Sequence, residues 1–173
     1  KDKPDQKSIS HQHVLPPDLR KTDLAYQVLI KLLSKALMRL RSENQKATHL
    51  SIHVKFLDQT QFENKISFQS TDDNPFYISQ LKNLWPPLSD IYFHKKKPLF
   101  VSVVLSGLTD SQAQQLSFFD DPKKNKMNQV IDMINSKHGH NTLFLASTQS
   151  VMKSGKTRIS FNHIPNLQDE FED

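Results

Sequence analysis

The sequence has no cysteine and only three glycines among its 173 residues. Without cysteine there can be no disulfide, no thiol nucleophile and no cysteine-ligated zinc. So few glycines almost exclude a glycine-rich phosphate loop or a glycine-flanked nucleophile elbow. No stretch approaches the roughly 18 uninterrupted apolar residues of a membrane span. The first residues do not resemble a signal peptide and lack an initiator methionine, so we expect a cytoplasmic fragment of a longer chain.

Positive charges outnumber negative charges in this sequence, and the excess is unevenly distributed along the chain. Residues 1–107 carry 16 Lys and Arg against 10 Asp and Glu, whereas residues 108–173 carry 7 against 8. The front of the chain is therefore basic and the rest nearly neutral. A basic front suggests a polyanionic partner. An ordinary basic surface is the alternative, and charge alone leaves the two open.

A helix is the clearest predicted element. A short strand over residues 7–14 ends at Pro16 and Pro17. In the segment that follows, apolar residues recur every three or four positions, which places them on one buried stripe of a helix. Thr22 or Asp23 is the expected N-cap. The stripe consists of Ala25, Val28, Leu29, Leu32, Ala36, Leu37 and Leu40.

Two alternating segments then predict a hairpin with one wet face. Apolar and polar residues alternate over 50–56 and again over 62–68, on either side of a polar turn. Asn64 interrupts the apolar side of the second strand.

A second helix and a last strand complete the predicted domain. A short helix is expected with Asn74 as N-cap and Pro75 at its first position. The segment KPLFVSVVLSG reads as an apolar strand rich in β-branched residues.

The order strand, helix, strand, strand, helix, strand predicts an α+β fold. A four-stranded β-sheet with both helices on one face satisfies the burial pattern. Its other face would be polar and available for binding, although many such faces simply meet solvent. The polar positions are Ser8, Ser10, Gln12, Ser51, His53, Lys55, Glu63, Lys65 and Ser67.

Composition changes after Gly107, which suggests three regions. We expect a domain over residues 1–107, a linker over 108–122 and a small helix-strand appendage over 123–173. Gly139 is expected to stop the appendage helix, and TLFLA reads as a short strand, with GKTRISFNHIP a candidate for another. The helix has an apolar stripe formed by Met127, Val130, Ile131 and Ile134.

Several stretches, taken in order, resemble the little-finger region of bacterial Y-family translesion DNA polymerases, the polymerase IV and UmuC-like or ImpB/MucB/SamB family. The opening strand KSISHQHVLPPDLR and the hairpin HVKFLDQTQFENKISF are similar to that domain. QLSFFDD is similar to the sliding-clamp peptide that follows it. MNQVIDMINSKHGHNTLFLAS looks like an appendage of UmuC-like proteins. The end of the chain lacks the C-terminal segment typical of UmuC-like proteins. The sequence therefore leaves open whether the chain belongs to the polymerase IV-like or the UmuC-like branch.

The resemblance implies that the sheet lies along the DNA major groove and grips phosphates of primer and template. The family's returning strand carries several Arg and Thr residues, where this chain has Glu63, Asn64 and Lys65. Lys95, Lys96 and Lys97 could compensate, or could form a solvated loop. The implied DNA-binding residues are Lys7, Ser8, Ser10, Gln12, Lys55, Gln61, Glu63, Lys65 and Ser67.

The resemblance also implies docking on the β sliding clamp. The amide of Gln115 can donate and accept hydrogen bonds, while Leu116 and Phe119 fill apolar pockets. Phe118 stands where leucine is usual. Burial of the two phenylalanines under the following helix is the alternative. The implied clamp-binding segment is Gln115, Leu116, Ser117, Phe118 and Phe119.

No catalytic site or metal site is expected within these residues. The acidic pairs fall in turns or at the end of the chain, and His11–His13 and His138–His140 lack an obvious third ligand. In the family, Mg²⁺ and the catalytic carboxylates belong to the palm, so palm, fingers and thumb are implied partners. A catalytically dead polymerase-like accessory protein and a free-standing ferredoxin-like nucleic-acid-binding or regulatory module remain alternatives.

Overall fold

The computed structural model describes residues 7–110, 122–139 and 142–151. Within these residues, no helix combines the length and the apolar character needed to cross a membrane. The elements are β1 (Ser8–Val14), α1 (Thr22–Ser42), β2 (Gln45–Phe56), β3 (Gln61–Thr71), α2 (Asn74–Leu84), α3 (Ile91–Lys95), β4 (Pro98–Ser106), β5 (Thr109–Asp110) and α4 (Pro122–His138), with short 3-10 helices at Pro17–Leu19 and Ala146–Val151.

The four long strands form an antiparallel sheet in the order β1-β4-β2-β3. The two-residue strand β5 pairs with the start of β2, where Gln45 lies opposite Asp110. The predicted α+β class and the order of the six main elements are confirmed. The last strand of the domain, β4, therefore lies in the centre of the sheet, between the opening strand and the hairpin.

Both long helices pack on the same face of this sheet, as the sequence predicts. Alternate residues of β2 and β4 point into one core together with the apolar stripe of α1. Leu29, Leu33 and Leu37 of α1 are almost fully buried, and so are Tyr77 and Leu81 of α2. Burial of each such side chain contributes on the order of 2 kcal/mol to folding. The sheet face away from the helices is thereby left for other contacts.

The helix N-caps differ by one residue from the predicted ones. Lys21 is the N-cap of α1, without a side-chain cap, so the assignment to Thr22 or Asp23 is wrong. Asp73, rather than Asn74, caps α2 by accepting a hydrogen bond from the Phe76 amide at 3.2 Å. Asp and Asn are nearly equivalent as N-caps, and here the Asn74 side chain instead accepts a hydrogen bond from Arg41 at 2.8 Å.

Asn64 is the polar residue on the apolar side of β3, and the structure gives it a role. Its side-chain amide donates to the Leu84 carbonyl at 3.0 Å. Leu84 is the last residue of α2, where backbone carbonyls have no partner within the helix. The interruption of the apolar pattern therefore ties the end of α2 to the sheet.

The appendage packs against the helical layer through the buried Val151 and through polar contacts of α4. The Arg41 guanidinium makes a bidentate pair with Asp132 of α4, at 2.6 and 2.9 Å. Its remaining donor group binds the Asp72 carbonyl at 2.9 Å and the Asn74 side chain at 2.8 Å. Asn128, 2% exposed, donates to the Asp73 carboxylate at 3.3 Å. Arg41 thus joins α1, the start of α2 and α4.

The orientation of α4 differs from the predicted one. Two residues of the expected apolar stripe, Met127 and Val130, face outward at 54% and 47% exposure, whereas Ile131 and Ile134 are partly buried. The polar residues Asn128 and Asp132 face the domain instead. Hydrogen bonds to a buried guanidinium outweigh the burial of a short apolar stripe here.

The predicted strand TLFLA is absent from the structure. The Asn135 side chain binds both the amide and the carbonyl of Leu143, at 2.8 and 3.0 Å, which removes these groups from strand pairing. A 3-10 helix then begins at Ala146 and ends at Val151, which is buried. Gly139, with φ of +97°, follows the last residue of α4 as expected. The candidate strand GKTRISFNHIP lies outside the described residues.

His11 lies on the helix side of β1 and should make folding sensitive to acid. Burial, and then the charges of Lys35 and Arg39, lower the pKa of His11 to about 4. The unfolded chain therefore binds a proton that the folded chain does not, between about pH 6.5 and 4. The stability is fully present above pH 6.5 and is lost as the pH falls towards 4. We expect the His11 contribution to fall by about 2 kcal/mol, less than the full shift because the ring is partly solvated.

Urea unfolding of the wild type and of His11→Gln at pH 7.5 and pH 4.5 measures this effect. The loss on acidification should be smaller in the variant by that amount. His138→Gln changes an exposed histidine and should leave the wild-type pH dependence in place. Equal pH dependence in wild type and His11→Gln would show that folding does not lower the pKa of His11.

Candidate nucleic-acid interface

The sheet face opposite the helices, which we call the open face, is a grid of four rows across four strands. Strand register defines each row, read in the order β1, β4, β2 and β3. The rows are Ser8, Ser106, His49 and Ser67; then Ser10, Val104, Ser51 and Lys65; then Gln12, Ser102, His53 and Glu63; then Val14, Phe100, Lys55 and Gln61.

The structure brings the predicted DNA-binding residues together. Eight of the nine lie on the open face, and Lys7 immediately precedes β1. All nine are exposed. The strands β1 and β3, which carry most of them, form the two edges of the sheet. No described part of the chain covers these nine side chains, so they are accessible, whereas Ser102 in the middle of the face is only 7% exposed. Their contact with DNA stays a prediction.

The open face has many hydroxyl groups and little net charge. Six of its sixteen positions are serine, whereas its lysines are Lys55 and Lys65. The carboxylate of Glu63 lies 3.7 Å from the imidazole of His53. The same imidazole nitrogen is 3.1 Å from the Gln61 side-chain oxygen. A surface of this kind can hold phosphates by hydrogen bonds, supplemented by few ion pairs.

The contribution of β4 to this face was missed by the sequence analysis. The sequence showed only an apolar strand rich in β-branched residues. The structure instead directs Ser102 and Ser106 to the open face, between the polar residues of β1 and β2. The four-residue spacing of these serines within an apolar run was the available signal, because alternate residues of a strand share a face.

The three consecutive lysines before β4 lie in different environments. Lys96 pairs with the Asp58 carboxylate at 3.3 Å and donates to the Thr60 hydroxyl at 2.6 Å. Hydrogen bonds from the hydroxyl and amide of Thr60, together with Lys96, lower the pKa of Asp58. Lys95 and Lys97 are exposed. One lysine therefore fixes the hairpin turn, and the other two add positive charge beside it.

The predicted clamp-binding residues Gln115, Leu116, Ser117, Phe118 and Phe119 lie outside the described residues. The structure describes the chain on both sides of them. Asp110 belongs to β5, which pairs with β2. Pro122 begins α4, which Arg41 holds through Asp132.

The described histidines and carboxylates do not form a metal site. Within residues 7–110, 122–139 and 142–151, no three of them are grouped so that they could hold an ion. Lys31 and Lys35 contribute to lowering the pKa of His13, after burial. This basic surrounding is unsuited to a cation.

Comparison with known proteins defines the class of this domain. Residues 6–118 match the impB/mucB/samB family C-terminal domain. The chain therefore belongs to this family, and the resemblance drawn from its strands and hairpin is confirmed.

Curated relatives include DNA polymerase IV of Clostridium acetobutylicum, 28% identical over 148 residues, and DNA polymerase IV of Desulfatibacillum aliphaticivorans, 28% identical over 153 residues. Each match covers 79% of this chain. The chain spans 35% of the length of these relatives.

Similar solved structures include a Y-family DNA polymerase chimera of Dbh and Dpo4, with a TM-score of 0.46 and 16% identity over 62% of this chain and 30% of that one. Another is the complex of the beta-clamp processivity factor and the little finger domain of PolIV. Its TM-score is 0.44, with 13% identity, over 65% of this chain and 99% of that chain.

Proposed function

We propose that this chain is the DNA-gripping and clamp-docking part of a translesion DNA polymerase that acts in DNA damage tolerance. The open face binds primer–template DNA, and residues 115–119 bind the β sliding clamp. Phosphoryl transfer, with its Mg²⁺, belongs to other parts of the polymerase. The observation that carries the proposal is the accessible, serine-rich sheet face in a domain of the impB/mucB/samB family.

The width of the open face suits a DNA duplex. Four strands spaced by about 4.8 Å span about 15 Å from β1 to β3. The major groove of B-DNA is about 12 Å wide. A sheet laid over the groove therefore places its two edge strands near the phosphates on either side. Most of the predicted DNA-binding residues lie on those edge strands.

The side chains of the open face favour binding without sequence preference. Serine hydroxyls and lysine ammonium groups bind phosphates at any sequence. None of the sixteen positions carries an arginine, the residue that most often reads guanine by a bidentate contact. A polymerase that meets damage at any position on a template needs this kind of grip.

Salt dependence of DNA binding tests the proposal. In anisotropy titrations with a fluorescent primer–template duplex, affinity should fall steeply with salt because phosphate contacts release counterions. Lys65→Gln removes one such contact and should reduce the slope of log affinity against log salt by about 0.9. Affinity itself should fall several-fold at about 0.1 M salt.

Lys82→Gln is the matched control, because Lys82 is an exposed lysine on α2 and not on the sheet. It removes the same charge from the chain and should leave the slope nearly unchanged. A flat salt response of the wild type, or equal effects of the two substitutions, would refute the proposed use of the open face.

A further inference from the structure

An open groove lies at the turn end of the sheet and differs in chemistry from the open face. It has a volume of about 380 Å³ and mostly apolar walls. We call it the turn groove. Its lining residues come from the β2–β3 turn and from the segment between α3 and β4: Leu57, Asp58, Tyr92, Lys95, Lys96 and Lys97.

Tyr92 is 77% exposed and lies on a short helix whose neighbouring residue Phe93 is buried. It belongs to α3, where Asp90 accepts a hydrogen bond from the Phe93 amide at 2.9 Å. Phe93 is buried against Phe56 and Trp85, with ring centroids 5.4 and 5.1 Å apart. A short helix anchored in the core therefore presents an aromatic ring to solvent. Large exposed apolar groups in one place mark binding sites.

Lys96 places a positive charge against the Tyr92 ring. Its ammonium lies 5.0 Å from the ring centroid and 5.3 Å from that of Phe56. The carboxylate of Asp58 pairs with the same ammonium. The acidic residue of the turn groove is therefore neutralised locally, and Lys95 and Lys97 leave the rim basic.

The turn groove follows the fourth row of the open face along the chain, although none of its lining residues belongs to that face. Leu57 follows Lys55, a residue of the fourth row, by two positions. The Leu57 amide donates to the Lys97 carbonyl at 3.0 Å, so the hairpin turn and the start of β4 are joined directly. A nucleic-acid strand leaving the open face at its fourth row reaches this groove next.

We propose that the turn groove binds unpaired nucleotides of a single-stranded DNA segment, with a base stacked on Tyr92 and the neighbouring phosphates on Lys95 and Lys97. An aromatic platform with a basic rim is the arrangement that binds single strands without sequence preference. A base inside a duplex is already stacked on its neighbours and cannot occupy it. This proposal depends on the proposed function in one respect, namely that the open face holds the duplex from which the single strand continues.

Two DNA probes and three variants test this assignment. One probe is a primer–template with a five-nucleotide single-stranded template extension that contains 2-aminopurine, and the other is the same duplex with a blunt end. Tyr92→Ser should weaken binding of the extended probe by roughly 5- to 100-fold. Tyr92→Trp should retain binding and the quenching of 2-aminopurine fluorescence. The blunt duplex should bind all variants equally.

Leu88→Ser is the matched control, because Leu88 is 89% exposed and does not line the groove. It should bind both probes as the wild type does. Wild-type affinity of Tyr92→Ser for the extended probe would overturn the inference, and would favour a peptide as occupant. An equal loss on both probes would also overturn it.

The proposed function can fail separately. If Lys65→Gln left binding of the blunt duplex unchanged while Tyr92→Ser weakened binding of the extended probe, the turn groove would stand and the duplex-binding face would not. If Lys65→Gln weakened binding of the blunt duplex while Tyr92→Ser left binding of the extended probe unchanged, only the proposed single-strand site in the turn groove would be refuted.

Discussion

Replacement of Gln115, Leu116 and Phe119 by alanine is expected to lower the affinity of this chain for the β sliding clamp by about 100-fold or more. The two apolar side chains would fill pockets and the amide would donate and accept hydrogen bonds. Anchors of this kind each contribute about 2 kcal/mol or more to an interface. Loss of three therefore removes most of the binding energy of so short a peptide.

Surface plasmon resonance with immobilised clamp measures this effect, both for the whole chain and for a peptide of residues 110–122. Gln114→Ala is the control, because it removes a neighbouring glutamine outside the proposed motif. It should change the affinity less than about 3-fold. Unchanged clamp binding by the triple variant would exclude residues 115–119 as the docking segment.

DNA binding should be unaffected by the triple substitution. The open face consists of β1 to β4, and none of its sixteen residues belongs to segment 115–119. Wild-type affinity for the duplex also shows that the variant is folded. When clamp and DNA are both present, the two proposed contacts should reinforce each other through effective concentration. The triple variant should therefore lose the reinforcement and retain the DNA contact alone.

The strands and long helices of the domain could be predicted because each carries a periodic apolar pattern. The alternation in the hairpin fixed which side of β2 and β3 faces the helices, since a shift by one residue would expose every core side chain. The same alternation placed Lys55, Lys65 and their neighbours on the open face. The predicted site was therefore a consequence of the predicted core.

Elements decided by a few specific contacts, and not by a periodic pattern, could not be predicted. The five-residue helix α3 is too short for a periodic signal, and it exists because Asp90 caps it and Phe93 is buried. The outward orientation of Met127 and Val130 follows from the pair between Arg41 and Asp132, which are 91 residues apart. The sequence pattern alone predicts that the apolar side of α4 packs against the domain.

Arg41 is the residue whose loss should most disturb the appendage. Its side chain is 9% exposed, and Asp132, at 21%, is its bidentate partner. Arg41→Ala leaves the carboxylate of Asp132, the carbonyl of Asp72 and the amide of Asn74 without this donor. Removing one partner of a largely buried pair costs about 3 to 5 kcal/mol. We expect α4 to detach from α1 while the sheet keeps its fold.

Hydrogen exchange locates this loss, because amides of α4 should lose protection while those of β2 and β4 keep theirs. Arg39→Ala is the matched control on the same helix. The pair of Arg39 with Glu43 is solvent-exposed, with the arginine side chain 47% exposed, and contributes about 0.5 kcal/mol at most. Arg41→Lys should behave like Arg41→Ala, since an ammonium cannot reproduce the bidentate geometry. Unchanged protection of α4 in Arg41→Ala would show that apolar contacts, and not the guanidinium, hold the appendage.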